Sequence, residues 1–227
     1  MTQPAMRFLY GDRELSLEVR DVIAAPVDVI VVPTDQELSH RSGLAAAVAA
    51  LAGEQFLHDS QQLLREHGPI ESGMAVYTGA GSLPYQAVIH AVLPAPGEGD
   101  AQAGIEQTIS RSLQLCDMNE WRSVAFPALG LAESGVSIET CAQAFFRAIT
   151  HFWDARQECA VEKVLMCLAP DQFRPFFDAF REQGIQSEEL AVDRDATTAP
   201  PIGVVELSDE DIAELKHDDD EIDGWFK

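Results

Sequence analysis

Basic residues are scarce in this chain of 227 residues, which has 15 Lys and Arg against 38 Asp and Glu and a formal net charge of −23. Proteins that hold nucleic acid by charge need clustered Lys and Arg against the phosphates, so this composition argues against a nucleic-acid partner. A small phosphate-bearing ligand remains compatible with it. Backbone N–H groups and helix N-termini would then have to hold the phosphates.

Long apolar runs are also missing. No stretch approaches the roughly 20 apolar residues that span a bilayer, and residues 1–16 contain no apolar signal core before the first charges. We therefore expect a cytoplasmic protein that does not bind membranes. Cysteine is rare and no pair has C-x-x-C spacing, which predicts thiols in a reducing compartment and no metal site. The four cysteines are Cys116, Cys141, Cys159 and Cys167.

Hydrophobic residues make up 46% of the chain, which is enough for a substantial core. Short apolar runs that are typical of strands alternate with segments of helical periodicity. This order predicts an α/β protein in which a mixed, mostly parallel sheet lies between two helix layers. The predicted strands are residues 15–19, 29–32, 74–78, 87–92, 124–127 and 161–168, and the predicted helices are residues 44–52, 54–66, 105–115, 137–153 and 170–183.

The most regular helical pattern begins at Ser137. Its apolar residues follow i, i+3, i+4, i+7 spacing and form one stripe for burial. Ser137 is predicted to be the N-cap, and Glu139 lies in the first turn, where a negative charge complements the helix dipole.

The composition changes near residue 190, which predicts a domain over residues 1–190 and an acidic tail over residues 191–227. The tail has twelve acidic and three basic residues, a net charge of −9, which leaves −14 on the domain. Residues 193–201 have the composition of a linker. The aromatic pair Trp225–Phe226 lies among acids, so the tail is either a solubilising disordered segment or a docking segment for a protein partner. A monomer is the default expectation.

Two loops are candidates for ligand binding, because ligands of α/β sheets lie where strands end and helices begin. The first runs from Pro33 to Leu44 and brings Ser42 and Gly43 to the start of a helix. The second runs from Ala128 to Val136 and leads into the Ser137 helix. Taken alone, each loop is better explained as an ordinary helix cap.

Together with the neighbouring motifs, these loops resemble the macrodomain family over residues 15–180. The resemblance implies a three-layer α/β/α fold that binds ADP-ribose in a cleft at one edge of the sheet, with no cofactor. Its motifs are Ser72-Gly73-Met74-Ala75-Val76, Leu83-Pro84, Val88-Ile89-His90 and Ser123-Val124-Ala125-Phe126-Pro127-Ala128-Leu129-Gly130.

The resemblance also implies a set of binding residues. Asp21 matches the acidic residue that accepts from the adenine amino group, and Val22 supplies the next backbone N–H. The alternative for Asp21 is a turn or cap residue. The first loop would face the diphosphate and distal ribose through Asp35, Ser42, Gly43 and Leu44, and the second would face the phosphates through Gly130, Leu131, Ala132, Glu133, Ser134, Gly135 and Val136.

Several positions depart from the family pattern. Val32 and Asp35 replace two Asn residues, and Ala45 replaces an Asp that positions water in hydrolytic members. Ala132 replaces a glycine, and Ser134 and Val136 stand where aromatics are common. Replacement catalytic groups at the cleft would be Asp35 or Glu133, with His40 nearby, although each also fits a solvated loop residue.

Three functions follow as hypotheses. The first is a module without hydrolase activity that binds ADP-ribose or an ADP-ribosylated protein. The second is an ADP-ribosyl hydrolase with a rearranged active site. The third is a protein-interaction module that has lost nucleotide binding.

Overall fold

The computed structural model describes residues 5–156, 158–192 and 202–204, and the strands among them form one eight-stranded sheet. The strand order is β4-β5-β3-β6-β7-β2-β1-β8. The strands are β1 (Ala5–Tyr10), β2 (Arg13–Val19), β3 (Val29–Thr34), β4 (Ala75–Thr78), β5 (Ala87–Val92), β6 (Ser123–Pro127), β7 (Lys163–Leu168) and β8 (Ile202–Val204).

The sheet is mixed, as the sequence predicts. Strands β5, β3, β6, β7 and β2 are parallel to one another, while β4 and β1 pair antiparallel with their neighbours. The β-branched run Val29–Val32 is 0% exposed at all four positions. A strand buried on both faces has this continuous apolar composition, since helices cover the two sides of a parallel sheet.

In the part of the chain that the structure describes, five α-helices cover the sheet in two layers. Helices α1 and α2 pack on one face through Val48 and Phe56, and α3, α4 and α5 pack on the other through Ile105, Phe145 and Phe176. The predicted three-layer α/β/α fold is thereby confirmed. The helices are α1 (Gly43–Ala52), α2 (Glu54–His67), α3 (Ala101–Met118), α4 (Ile138–Ala155) and α5 (Pro170–Val192).

Two predicted helix boundaries have the expected chemistry. The Ser137 hydroxyl accepts from the Thr140 N–H at 3.2 Å and caps α4. Gly53 lies between α1 and α2 with φ 86°, a left-handed value that glycine adopts without steric cost. Both caps arise from local sequence, which explains why the pattern alone located them.

Some predicted boundaries need correction. Strand β1 was not predicted, α3 is longer than residues 105–115, and α5 continues past residue 183 to Val192, beyond the predicted domain boundary. Strand β8 pairs antiparallel with β1. The linker of residues 193–201 and the acidic residues after 204 lie outside the described residues. The division into a domain and an acidic tail therefore stays a prediction.

The cysteines are free thiols in the part of the chain that the structure describes. Burial raises the pKa of the Cys116 and Cys141 thiols, so both stay protonated at neutral pH. Within the same residues, no cluster of three His, Cys, Asp or Glu could hold a metal ion. No described helix is long and apolar enough to cross a membrane.

Candidate functional site

The three segments selected from the sequence meet at one edge of the sheet. Strands β2, β3 and β6 belong to the parallel set, so their carboxyl ends point the same way. Asp21 follows β2, residues 35–42 follow β3, and residues 128–136 follow β6. The fold therefore brings together segments that are more than a hundred residues apart in sequence.

The sheet topology predicts a crevice between β3 and β6 at this edge. The two strands pair only at Val29–Val124 and Ile30–Ala125, whereas β3 continues beside β5 as far as Thr34. The loop after β3 enters α1 on one face of the sheet, and the loop after β6 enters α4 on the other. Neighbouring strands whose connections leave to opposite faces form the crevice in which α/β proteins bind ligands.

The first loop is held by its own side chains. The Asp35 carboxylate accepts from the Ser39 N–H at 2.8 Å and from the Ser39 hydroxyl. Leu38 and His40 have left-handed φ values of 46° and 48°, which are uncommon for residues with a side chain. Asp35 therefore stabilises a tight loop rather than standing free at the cleft.

The start of α1 is open to solvent. Ser42 occupies the N-cap position, but its hydroxyl makes no capping hydrogen bond. Gly43 has φ 58°, and no heavy atom lies within 4 Å of the place where a Cβ would be. The first N–H groups of a helix have no partner within the helix. The N–H groups of Gly43, Leu44 and Ala45 are therefore available to a ligand. The closest side-chain cation in sequence is the exposed Arg41.

The second loop closes around Gly130. Its N–H donates to the Glu133 carboxylate at 3.1 Å, and its carbonyl accepts from the N–H groups of Ser134 and Val136 at 3.1 and 3.3 Å. The buried Ser134 hydroxyl donates to the Pro94 carbonyl at 2.6 Å. Glu133 and Ser134 therefore shape the loop. Ala132 and Gly135 are its exposed residues, and Leu131 and Val136 pack partly against the core.

Asp21 caps a short 3-10 helix over Val22–Ala24. One carboxylate oxygen accepts from the Ile23 N–H at 2.9 Å, which leaves the other oxygen as a further acceptor. The Tyr85 hydroxyl donates to the Ile23 carbonyl at 2.6 Å and anchors this turn. Burial raises the pKa of Tyr85, so the hydroxyl keeps the proton that it donates. Capping uses one carboxylate oxygen of Asp21, and the adenine contact implied by the family resemblance would use the other.

Two features of this edge were missed or undervalued from sequence. The loop after β5 supports the second loop, because Pro94 accepts from Ser134 and Pro96 lies 4.0 Å from the Cβ position of Gly135. The imidazole of His40 is 5.0 Å from the Phe56 ring and 5.3 Å from the fully buried His90 ring. Burial lowers the pKa of His40, and it lowers that of His90 to about 3, so both are neutral.

A separate groove of about 550 Å³ lies beside the edge strand β4. It is mainly apolar and is lined by Leu63, His67, Pro69, Ile70, Glu71, Met74, Ala75, Val76, Tyr77 and Leu115. None of the three predicted binding segments contributes to this groove, although its Met74, Ala75 and Val76 belong to one of the family motifs. It therefore provides an alternative location against which any ligand must be tested.

Comparison with known proteins agrees with this architecture. The macrodomain of Oceanobacillus iheyensis with ADP superposes with a TM-score of 0.73 at 20% identity, covering 84% of this chain and all of that chain. Human protein mono-ADP-ribosyltransferase PARP14 is 29% identical over 172 residues, which are 74% of this chain but only 10% of that protein. The O-acetyl-ADP-ribose deacetylase of Klebsiella pneumoniae strain 342 is 36% identical over 134 residues, 58% of this chain and 77% of that enzyme.

A model of the Macro domain matches residues 31–145, a range that includes both loops and the crevice between β3 and β6. With this match and the identity to the Klebsiella enzyme, the chain belongs to the Macro domain family.

Proposed function

We propose that this chain binds ADP-ribose, free or attached to a protein, in the crevice between β3 and β6, and that it does not hydrolyse it. The end of the β3–β6 pairing after Ile30 carries the proposal, because the loops that follow the two strands lead to opposite faces, the arrangement in which α/β sheets form a ligand crevice. A helix N-terminus presents unpaired N–H groups and a partial positive charge, which suit a diphosphate. This mode of binding also fits a chain with so few basic residues.

Adenine selection is assigned to Asp21. The bond to the Ile23 N–H fixes the carboxylate, and its second oxygen can accept from the amino group of the base. The adjacent Val22 N–H begins a helix and has no partner within it. The Asp21 carboxylate accepts and the Val22 N–H donates, and this pair is complementary to the amino group and the adjacent ring nitrogen of adenine.

The lack of hydrolysis is inferred from the carboxylates at the cleft. A general base must lie within hydrogen-bond reach of the water that it activates. At the first turn of α1, Ala45 offers only a methyl group, and it is 7% exposed. Asp35 and Glu133 are bonded to Ser39 and Gly130 within their own loops. These contacts favour a binding module over a hydrolase.

Calorimetric titration with ADP-ribose tests the proposal. We expect micromolar binding that weakens about 5- to 140-fold in Asp21→Ala, since an unpaired donor costs about 1–3 kcal/mol. Asp12→Ala is the matched control, because Asp12 is an exposed aspartate in the β1–β2 turn at the opposite edge of the sheet. Equal affinity in the wild type and Asp21→Ala would remove Asp21 from the site.

Asp21→Asn separates base recognition from the cap. The asparagine oxygen can still accept from the Ile23 N–H, so the 3-10 helix is retained. Its amide then presents a donor where the adenine amino group needs an acceptor. We expect a lower preference for ADP-ribose over the analogue that carries hypoxanthine, at unchanged stability. An unchanged preference would contradict the assignment.

Hydrolysis is the second candidate, because one relative is named as an O-acetyl-ADP-ribose deacetylase. The proposal predicts no turnover of O-acetyl-ADP-ribose above the rate in buffer, measured by chromatography at protein concentrations that bind the ligand. Turnover that is lost in Asp35→Ala or Glu133→Ala but kept in Asp12→Ala would establish a rearranged active site instead.

A further inference from the structure

Three buried polar atoms have no hydrogen-bond partner among the described protein groups. They are the hydroxyl oxygen of Thr34, Nε2 of His40 and Nδ1 of His90. Buried polar atoms in folded proteins nearly always pair with protein or with ordered water. The three atoms belong to residues of the adjacent strands β3 and β5 and of the loop after β3, which points to a shared partner.

These atoms lie on one face of the sheet, beneath the loop that leads to α1. The rings of His40 and His90 are 5.3 Å apart, and Phe56 of α2 lies 5.0 Å and 5.4 Å from them. His90 pairs with Val32 in the β3–β5 register. Thr34 is two residues further along β3, so its side chain projects to the same face as that of Val32.

We propose that Thr34, His40 and His90 together bind one buried water molecule, which joins β3 and β5 to the loop of residues 35–42 and holds that loop on the sheet. A buried water typically makes about three hydrogen bonds to polar groups that would otherwise be unpaired. Hydrogen bonds of about 2.8–3.0 Å allow one water to join atoms up to about 6 Å apart. The ring centroids of His40 and His90 are 5.3 Å apart, which lies within this span.

The chemistry of each ligand fits a water. Nε2 of His90 shares a hydrogen bond of 2.9 Å with the Thr78 hydroxyl, so Nδ1 is the ring atom left to bind it. A water both donates and accepts, and it can therefore match either tautomer of a neutral imidazole. No group of three His, Cys, Asp or Glu is present here among the described residues, and a Thr hydroxyl is not among the usual Zn²⁺ ligands, so a water fits better than a cation.

The site makes the loop sensitive to protonation of His40. The titratable groups that interact with His40 are Asp35 on its own loop and His90 on β5, while α2 presents the Phe56 ring. Thr78 of β4 bonds to Nε2 of His90. Burial disfavours a charged His40, and the nearby Asp35 carboxylate opposes this effect without reversing it. Protonation therefore favours the state in which the ring leaves the pocket and the loop is released.

The direction of the pH effect on loop opening follows from the direction of the pKa shift of His40. The pKa of His40 is lowered in the closed loop, so acid favours the open loop, in which the pKa returns to about 6.5. Lowering the pH from about 7.5 to about 5.5 should then increase loop opening by at most about tenfold, a limit set by the open-loop pKa of about 6.5. The inference goes beyond nucleotide binding and needs no nucleotide for its test.

Two measurements on the full chain test it. A high-resolution crystal structure at neutral pH should show one water within about 3.2 Å of all three atoms. Hydrogen exchange of the amides of residues 38–44, corrected for the intrinsic rate, should lose protection between about pH 7.5 and about pH 5.5, by at most about tenfold. His58→Phe is the control, since His58 is exposed on α2 and should leave this response intact.

His40→Phe should abolish the pH response, because phenylalanine keeps the ring contact with Phe56 but cannot be protonated. His40→Asn tolerates a left-handed backbone but cannot reach His90, so its loop should exchange rapidly at both pH values. A pH response of wild-type size in His40→Phe would overturn the role of His40. Thr34, His40 and His90 bonded to other protein groups, with no water between them, would overturn the site.

Discussion

Replacing Gly130 with alanine is expected to lower the free energy of unfolding by about 2–5 kcal/mol. Gly130 has φ 92°, and a Cβ there would lie 2.3 Å from Cδ1 of Ile105. Ile105 is completely buried in α3, so its side chain has no free space into which it could rotate. The substitution therefore combines backbone strain with overpacking at the base of the second loop.

Gly135→Ala in the same loop separates these two causes. Gly135 also has a positive φ of 66°, but the nearest atom, Cγ of Pro96, is 4.0 Å from its Cβ position. We expect a loss of only about 1–2 kcal/mol, from backbone strain alone. Urea denaturation measures both variants, and equal losses would show that the contact with Ile105 is unimportant.

A double mutant tests the contact itself. Ile105→Val removes Cδ1, the atom with the 2.3 Å approach, and should make Gly130→Ala less costly than in the wild-type background. Strict additivity of the two changes would contradict the packing argument. Gly130→Ala should also weaken ADP-ribose binding more than Gly135→Ala, because the entire second loop is hydrogen-bonded around the Gly130 carbonyl.

Loss of the Asp28 carboxylate is the second large effect that we expect. One oxygen accepts from the N–H groups of Arg122 and Ser123 at 2.9 Å and from the Ser123 hydroxyl at 3.0 Å, and the other accepts from the Gln86 side chain at 3.0 Å. Asp28→Ala removes the acceptor of the part-buried N–H and hydroxyl of Ser123, whereas water can replace it for the exposed Gln86 and Arg122, and we expect a loss of about 1–3 kcal/mol of unfolding free energy.

Asp28→Asn is the informative partner variant. It keeps an oxygen for Arg122 and Ser123 but turns a donor towards Gln86, so its loss should be clearly smaller than that of Asp28→Ala. Asp12→Ala is the control for removing an aspartate. A change in Asp28→Ala no larger than in Asp12→Ala would show that these hydrogen bonds contribute nothing to stability.

Asp28 also holds one end of the β3–β6 pair. It ties the amino ends of β3 and β6 together immediately before their two paired positions at Val29 and Ile30. Beyond these positions the described residues of the two strands show no further pairing, and their loops lead to opposite faces. We therefore expect Asp28 to fix the strand pair at the end opposite to the predicted crevice.

The parts of the fold that were predictable from sequence depend on local patterns. The stripe of α4, its Ser137 cap and the buried run Val29–Val32 each contain their own signal within one element. Strand β1 also has such a signal, since the buried Met6 and Phe8 alternate with the exposed Ala5 and Arg7. The exposed Leu9 obscures the alternation, which explains why this short strand was missed.

The site was only partly predictable. The two loops could be located because glycines and small residues precede helices, but the roles of their side chains depend on contacts distant in sequence. The Ser134 hydroxyl donates to the Pro94 carbonyl, 40 residues away in sequence, and the His40 ring contacts the His90 ring, 50 residues away. A single sequence does not contain such pairings, because they arise from the order of strands in the sheet.

The central claim is that the diphosphate of ADP-ribose binds between the start of α1 and the second loop. A crystal structure of the chain with ADP-ribose at saturating concentration tests this most directly. We expect phosphate oxygens within about 3.2 Å of the amides of Gly43 or Leu44 and of the loop of residues 130–136. Ligand in the groove beside β4, with the crevice between β3 and β6 unchanged, would contradict it.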